Sequence, residues 1–137
     1  MNNMKAILVF FLTAFSLTVF SQSTADRILG YYYFKDPEDN GGVQALIYKN
    51  AEGKYDGKIV WTEKPNNSID YVFLKDFVYN SSKDEWEQGF MYDPVTDRRY
   101  RGNIKFEGQN RLRVRGFLGI SLIGQTMYWT KETAARR

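Results

Sequence analysis

The sequence predicts an all-β fold, an antiparallel up-and-down barrel of about eight strands. Apolar and polar residues alternate in one short segment after another, and this period of two is typical of half-buried strands. Polar turn sequences separate these segments at regular intervals, and no segment shows a long helical period. Several segments contain a glycine, such as Gly102 and Gly116, where a curled sheet bends or packs closely.

The predicted strands follow one another without a linker or an internal repeat. A short helical turn at 23–29 is expected before the first strand, with Ser23 or Thr24 as its cap and Asp26 near its start. Proline, glycine and acidic residues form the connections, and Pro94 stands where a type I turn favours proline. The strands are predicted at 29–35, 43–49, 54–61, 71–79, 86–92, 99–107, 111–117 and 125–131.

The hairpin that follows Phe106 has one register that keeps its apolar side chains on the same face of the sheet. A three-residue loop at 108–110 pairs Phe106 with Leu112 and, further along, Gly102 with Gly116. A two-residue loop would mix the apolar and polar faces. The two glycines are therefore predicted to form one rung on the inner face of the barrel.

The preceding hairpin fits best with Phe90 opposite Gly102. The two glycines would then make room for the ring of Phe90 or allow a sharp bend of the sheet, while Gly89 would point outward. On the outer face, Glu87 would lie beside Lys105. The remaining pairs of this register are Tyr92 with Tyr100 and Trp86 with Phe106.

Residues 1–21 are predicted to be a cleaved secretory signal peptide. Lys5 precedes an apolar run at 6–20 that is too short and wrongly flanked for a membrane span, and Ser21 is a small residue for cleavage. Residues 22–137 would then form a single β-barrel domain of a secreted or periplasmic protein that is not an integral membrane protein. The absence of cysteine excludes a lipoprotein anchor on a lipobox cysteine.

The sequence contains no histidine and no cysteine. Ser-His-Asp triads, cysteine nucleophiles and ordinary zinc or copper sites are therefore excluded. The acidic segment 36–41 resembles the start of a calcium loop, but its twelfth position would be Ile47 instead of glutamate, so we interpret it as a turn. No cofactor and no metal are expected. Removal of the signal peptide with Lys5 lowers the net charge from +3 to +2, which is too small to argue for a nucleic-acid partner.

Short motifs are spread over nearly all of the chain that follows residue 21. They are Asp26-Arg-Ile-Leu-Gly30, Gly57-Lys-Ile-Val-Trp61, Trp86, Gly89-Phe-Met-Tyr-Asp-Pro94, Tyr100, Leu112-Arg-Val-Arg-Gly-Phe-Leu-Gly119 and Trp129-Thr-Lys131. Through these motifs the chain resembles a bacterial secreted family known only as domain of unknown function 2147. The resemblance implies a small lipocalin-like or calycin-like barrel, with no activity firmly attached to it.

The resemblance also implies a role for the first strand, whose motif here is Gly30-x-Tyr32. Tyr32 is expected to pack under a cation from the last strands, either Arg115 or Lys131. The sequence departs from the family pattern at this motif, where the family usually has Gly-x-Trp. It also lacks the cysteines of many members, and 66–70 replaces a segment that usually contains Asn-Pro.

Many aromatic side chains are predicted to point into the barrel, whose interior is either filled by side chains or able to hold one small ligand. The number of large rings favours a filled interior or a shallow cavity at the mouth. The leading hypothesis is that the protein binds a small apolar or amphipathic ligand, such as a lipid, at the mouth. The candidate ligand-binding residues are Tyr33, Trp61, Tyr92, Tyr100 and Trp129, and the other inward rings are Trp86, Phe90 and Phe106.

A row of basic residues, called the basic row below, is predicted on the outer face of two neighbouring strands. One hypothesis is a binding surface for an anionic partner, such as lipopolysaccharide, an acidic glycan or another envelope protein. The alternative, which we favour, is a solvated outer face with Glu87 and Glu107 as partners. The basic row comprises Arg99, Arg101, Lys105, Arg111, Arg113 and Arg115.

Carboxylates near the aromatic residues give a third hypothesis, a glycosidase-like hydrolase that uses an acid/base pair. Nothing in their spacing requires such a pair, and turn chemistry explains Asp93 and Asp97. We therefore expect no enzymatic activity. The carboxylates considered are Asp84, Glu85, Glu87, Asp93 and Asp97.

Overall fold

The computed structural model describes residues 23–117 and 124–137. They form one antiparallel sheet that closes into a barrel, with a short 3-10 helix, Ala25–Ile28, before the first strand. The predicted signal peptide, 1–21, lies outside the described residues. The strands are β1 (Gly30–Lys35), β2 (Gly42–Lys49), β3 (Tyr55–Thr62), β4 (Val72–Asn80), β5 (Glu85–Glu87), β6 (Phe90–Tyr92), β7 (Arg99–Phe106), β8 (Arg111–Phe117) and β9 (Gly124–Glu132).

The strand order is that of a closed up-and-down barrel. β3, β2, β1, β9, β8 and β7 are neighbours in that order, and β7 then pairs with both β5 and β6. β5 and β6 both pair with β4, which returns to β3 and completes the ring. Because β5 and β6 are two parts of the fifth predicted strand, the predicted eight-stranded antiparallel barrel is confirmed.

The two ends of the barrel differ. The 3-10 helix covers one end, called the closed end, and the first strand leads from it toward the other end, called the mouth. β8 ends and β9 begins at the mouth. The connections at the closed end are 50–54, 81–84 and 107–110, and those described at the mouth are 36–41, 63–71 and 93–98.

Hydrogen bonds from two buried aromatic residues hold the helix in the closed end. The hydroxyl of Tyr32 donates to the carbonyl oxygen of Ile28 at 2.8 Å, and the indole N–H of Trp86 donates to that of Ala25 at 3.2 Å. Ile28, Tyr32 and Trp86 are all fully buried. The helix carbonyls are therefore satisfied without water, and large side chains fill this half of the interior.

Lys131 is the cation that lies over the first strand. Its ammonium nitrogen is 5.8 Å from the ring centroid of Tyr32 and 5.9 Å from that of Phe106, and it donates to the carbonyl oxygen of Arg27 at 2.9 Å. Burial lowers the pKa of Lys131. The expected packing of Tyr32 under a cation is confirmed for Lys131, whereas Arg115 alternates with the buried Val114 and lies on the outer face.

The β7–β8 register is the one predicted from the sequence. Phe106 pairs with Leu112, and Gly102 pairs with Gly116. Burial of one face fixes this register, because a slip by one residue would expose every apolar side chain of the hairpin.

The predicted register of the preceding hairpin is wrong. Phe90 pairs with Arg101, and Met91 is the side chain that covers the glycine rung, where a Cβ at Gly102 would overlap the Met91 methyl group. The cause is a break between β5 and β6 at Gln88, whose φ of 65° reverses the alternation of the residues that follow. Gly89 therefore faces inward, and a Cβ there would overlap the ring of Phe77.

Two carboxylates attach the helix to the strands of the closed end. Asp84 accepts hydrogen bonds from Tyr79 and from Arg27, both at 2.6 Å, and these bonds lower the pKa of Asp84. Asp26 lies 2.7 Å from the ammonium group of Lys49, and the hydrogen bond with Lys49 lowers the pKa of Asp26. Both carboxylates are therefore more acidic in the folded chain than in the unfolded chain.

This difference predicts that acid weakens the closed end. Since both folded pKa values lie below the unfolded value of about 3.9, the stabilisation is present above about pH 4 and is lost as the pH falls through the folded values. We expect the urea midpoint to fall on acidification, and Asp84→Asn to reduce this pH dependence. Glu52→Gln, an exposed loop residue at the same end, is the control. Equal pH dependence in the wild type and in Asp84→Asn would contradict the assignment.

Candidate functional site

The mouth half of the barrel contains a cavity of about 630 Å³. Its volume lies within the range of about 300–1,000 Å³ that is typical of sites for small molecules. Exposed residues of the mouth connections form its rim, so the cavity is open to solvent at this end. The apolar residues of its wall are Phe34, Val43, Ile59, Phe73, Leu74, Met91, Val114, Met127 and Trp129.

Alternation along the strands explains why these side chains face the cavity. Phe34 follows the buried Tyr32 by two residues, and Met127 precedes the buried Trp129 by two. Met91 reaches the same face because the break before β6 reverses the alternation. In β1, β6 and β9 the wall is therefore a continuation of the closed-end core at the next inward position, whereas in β4 the consecutive residues Phe73 and Leu74 both line the cavity.

Three rings form one side of the cavity. Trp129 stacks on Phe34 with 4.5 Å between the ring centroids and 12° between the ring planes, and Phe73 lies 5.7 Å from Trp129. Met91 and Met127 also contribute to the wall, and their thioether side chains adapt easily to the shape of a ligand. The cavity thus combines a rigid aromatic side with adaptable side chains.

The side chain of Trp129 also contains a buried hydrogen-bond donor. Its side chain is only 2% exposed, and its indole N–H has no hydrogen-bond partner. Leaving a buried donor unsatisfied costs about 1–3 kcal/mol. The Trp129 N–H is thus a buried donor without a partner, and almost none of its nitrogen is accessible to water.

The rim of the cavity is polar and acidic. Acidic side chains come from the β1–β2 and β6–β7 connections, and amide and hydroxyl groups come mainly from the β3–β4 connection. The acidic residues are Asp36, Glu38, Asp39 and Asp93, and the neutral polar residues are Thr62, Asn66, Asn67, Ser68 and Gln125. Over the described ranges, no lysine or arginine lines the cavity.

Of the five ligand-binding residues predicted from the sequence, Trp129 lines the cavity. Tyr33 and Trp61 lie on the outer face, so their predicted inward orientation is wrong. Tyr32 takes the inward position next to Tyr33, and a bulge reverses the side chains of β3, where Gln44 pairs with Trp61 but Ala45 pairs with Ile59. The extra residue between these two pairs turns Trp61 outward.

The two remaining candidates lie close to the cavity but do not line it. Tyr100 pairs with Met91 and shares the inner face of β7 with Gly102. Tyr92 alternates with Met91 and therefore points outward, together with Phe90. The predicted inward position of Phe90 is wrong, since its ring contacts arginine side chains of the outer face. Phe34 and Met127 were not among the predicted ligand-binding residues, although each lies two residues from an inward residue.

Comparison with known families identifies the chain's relatives. The model of the family described as "Uncharacterized protein conserved in bacteria (DUF2147)" matches residues 30–131. The chain belongs to this family. The family resemblance that the sequence motifs indicated is thereby confirmed.

Among solved structures, a similar one is the protein HP1028 from the human pathogen Helicobacter pylori, described as belonging to the lipocalin family. The TM-score is 0.62 at 15% sequence identity, over 77% of this chain and 83% of that chain. At this identity the similarity concerns the fold alone, and it shows that this DUF2147 member has a lipocalin-like barrel. A comparison with curated proteins found no significant match.

The carboxylates considered for hydrolysis have other partners in this DUF2147 member. Asp84 is bound by Tyr79 and Arg27, and its pKa is lowered, opposite to the change that a general acid needs. Glu87 accepts a hydrogen bond from Asn80. Within residues 23–117 and 124–137, no group of three or more metal-ligating side chains could hold a metal. The helix found in these ranges is not long and apolar enough to cross a membrane.

The basic row lies on the outer face of β7 and β8. The guanidinium groups of Arg99 and Arg101 lie 4.3 Å and 4.7 Å from the ring centroid of Phe90. Lys105 pairs across the sheet with Arg113 on one side and with Glu85 on the other, whereas Glu87 was predicted at that position. Arg111 forms a 2.9 Å ion pair with Glu107, and Arg115 pairs with Asn103. Acidic or aromatic side chains therefore lie beside several members of the basic row.

The C-terminal residues fold back over the outer face of β1 and β2, which the sequence did not predict. Gln44 is fully buried there, and its amide donates to Glu132 at 3.0 Å and to the carbonyl oxygen of Ala134 at 2.9 Å. The backbone N–H of Arg136 donates to the Gln44 side-chain oxygen at 2.9 Å. Without the tail that follows β9, the side chain of Gln44 would lose two of these three hydrogen bonds.

Arg136 secures the tail to the aromatic side chains of the outer face. Its guanidinium lies 4.2 Å from the ring centroid of Tyr33 and 5.1 Å from that of Trp61. It also pairs with Glu132 at 2.8 Å, and this hydrogen bond lowers the pKa of Glu132. Tyr33 and Trp61 therefore have a structural partner on the outside of the barrel.

Arg136→Ala is expected to lower the free energy of unfolding by about 1–2 kcal/mol, because it removes two cation–π contacts and an ion pair. Urea denaturation followed by tryptophan fluorescence measures this effect. Arg137→Ala removes the same charge at the next position and is expected to change little. Equal stability of the two variants would contradict the role of Arg136.

Proposed function

We propose that the protein is a non-catalytic barrel of the periplasm or the extracellular space that binds a small apolar or amphipathic ligand at its mouth. The observation that carries the proposal is the open cavity of about 630 Å³. It lies in a barrel whose opposite half is filled by Tyr32, Trp86 and their neighbours. The lipocalin-like fold is compatible with this role, and the predicted signal peptide supports export.

The wall chemistry supports an apolar ligand body. The aliphatic, thioether and aromatic side chains of the wall lose contact with water when a ligand enters, which is favourable in proportion to the buried apolar area. A ligand of about 20 heavy atoms at about 0.3 kcal/mol per atom would bind with a Kd on the order of tens of micromolar. Such affinities are within reach of fluorescence titration.

The first experiment looks for a resident ligand. We expect native mass spectrometry of the protein from a periplasmic extract of its bacterial host to show a bound mass that organic extraction removes. The extracted protein should begin near Gln22 if the signal peptide is cleaved as predicted. A protein that carries no ligand and binds no apolar probe would contradict the proposal.

The second experiment fills the cavity. Met127 lines the cavity and the adjacent Tyr128 is 49% exposed on the outer face, so the two positions form a matched pair. Met127→Trp is expected to weaken the binding of the neutral fluorophore N-phenyl-1-naphthylamine about tenfold or more, because the larger side chain occupies the ligand space. Tyr128→Trp adds an indole outside and should leave binding unchanged.

Circular dichroism and the melting temperature establish that both variants are folded. Equal fluorophore affinity in Met127→Trp and in the wild type would contradict binding in the mouth cavity. Equal loss in both variants would show that the fluorophore binds elsewhere.

A further inference from the structure

The outer face of β7 and β8 carries an excess of positive charge. The two strands contain six basic residues, which form the basic row, and no acidic residue. Elsewhere on the outer face, charges of both signs form ion pairs, such as Lys75 with Asp56 at 2.8 Å and Arg136 with Glu132 at 2.8 Å. The basic row is therefore an unbalanced positive region of the described barrel surface.

The acidic residues that were expected to neutralise the basic row do so only in part. Glu107 forms an ion pair with Arg111 at 2.9 Å, whereas Glu87 pairs with Lys83 at 3.7 Å. Within the described ranges, four members of the row form no ion pair with a carboxylate, namely Arg99, Arg101, Lys105 and Arg113. Their charge is available to an anionic partner.

Folding stability does not explain this arrangement. Lys105 lies directly opposite Arg113 across the β7–β8 pair, and like charges at such positions are destabilising. Arg99 and Arg101 lie beside the same ring, with guanidinium groups 4.3 Å and 4.7 Å from the ring centroid of Phe90. An anion bound between these two groups would relieve their repulsion and accept hydrogen bonds from both.

Exposed apolar side chains lie at two borders of the basic row. Val95, in the middle of the β6–β7 connection, is 83% exposed, and Arg98 follows in the same connection. Tyr128 of β9 is 49% exposed, and the guanidinium of Arg111 lies 4.7 Å from its ring centroid. An exposed aliphatic side chain gains free energy by entering the apolar part of a bilayer, whereas a soluble polyanion offers it no apolar surroundings.

The negative charges of the mouth lie beside this surface rather than on it. The acidic β1–β2 connection is apart from β7 and β8, because β9 stands between β1 and β8 in the ring. In the β6–β7 connection, Asp93 accepts the backbone N–H of Val95 at 2.8 Å, and Asp97 accepts the hydroxyl of Tyr71 at 2.5 Å. Both carboxylates are thus engaged within the mouth connections.

We propose that the protein docks onto an anionic phospholipid bilayer, with the basic row on the lipid phosphates and Val95 between the head groups. The guanidinium groups beside Phe90 are held in place by the ring and bind phosphate oxygens through their N–H groups. This inference goes beyond the proposed ligand binding and does not depend on it. Docking at this corner of the barrel also brings the mouth next to the bilayer.

The first test measures co-sedimentation of the purified protein with large unilamellar vesicles. One set consists of phosphatidylcholine alone, and the other of an equimolar mixture with phosphatidylglycerol. We expect binding to the mixed vesicles to be about tenfold tighter or more, because each basic side chain near an anionic surface contributes to the attraction. Binding should weaken as salt is added, since salt screens exposed charges.

A pair of double variants locates the binding surface. Arg101→Gln/Arg113→Gln removes one charge from each strand of the basic row and should weaken binding to the mixed vesicles about tenfold or more. Lys54→Gln/Arg137→Gln removes the same charge at exposed positions outside the row and should change binding little. Neither variant alters the cavity wall, so both should retain the circular dichroism and the N-phenyl-1-naphthylamine affinity of the wild type.

A second pair of variants tests the apolar contact. Val95→Ser should weaken vesicle binding about threefold or more, because serine gains little from entering the bilayer. Val78→Ser changes another exposed valine, on β4, and should leave binding unchanged. Heparin serves as a soluble polyanion, whose binding should not respond to Val95→Ser.

Equal binding to the two kinds of vesicle, or an equal effect of the two double variants, would overturn this inference and leave the proposed ligand binding standing. Heparin binding that requires Arg101 and Arg113, together with vesicle binding that is insensitive to Val95→Ser, would overturn the bilayer as the partner in favour of an acidic glycan. Vesicle binding as expected in a protein that binds no apolar probe would instead overturn the proposed function and leave the docking standing.

Discussion

The closure of one end by the 3-10 helix is the interaction on which the rest of the barrel depends. The helix carbonyls are buried, so they require donors, and Tyr32 and Trp86 supply them. Both rings must therefore lie at the closed end, where Lys131 packs over Tyr32. This concentration of large side chains at one end leaves shorter aliphatic and thioether side chains, with one ring stack, for the mouth half. The cavity is the consequence of that unequal distribution.

The sequence predicted the strands, the closed sheet and the β7–β8 register because burial of one face constrains all three. It failed where a strand gains one residue. The bulge beside Val60 in β3 and the break at Gln88 each reverse every later side chain, so Trp61 and Phe90 point outward. Neither irregularity has a turn residue at its centre that the sequence could have shown, since Val60 favours regular strands and Gln88 seldom adopts a positive φ.

Part of the candidate site could be predicted from the sequence. Once Tyr32 and Trp129 are known to point inward, strand alternation places Phe34 and Met127 on the same inner face. The sequence could not predict that the Trp129 N–H lacks a partner or that the tail buries Gln44, because both depend on residues far apart in the chain. The acidic rim could be predicted only in part. Its residues were recognised in the sequence as turns, but the closed barrel is what brings two of these turns to the same opening.

The C-terminal tail has a consequence for how the barrel assembles. β1 and β9 close the ring through only three residue pairs, at Tyr31–Tyr33, and they come from opposite ends of the described chain. Pairing of strands so far apart in the chain carries a larger loop-closure entropy cost than pairing of consecutive strands. The tail continues from β9 across β1 to Gln44 of β2 and thereby joins three strands around this seam. The junction between the two ends of the described chain is thus held on its outer side by hydrogen bonds from the tail to Gln44.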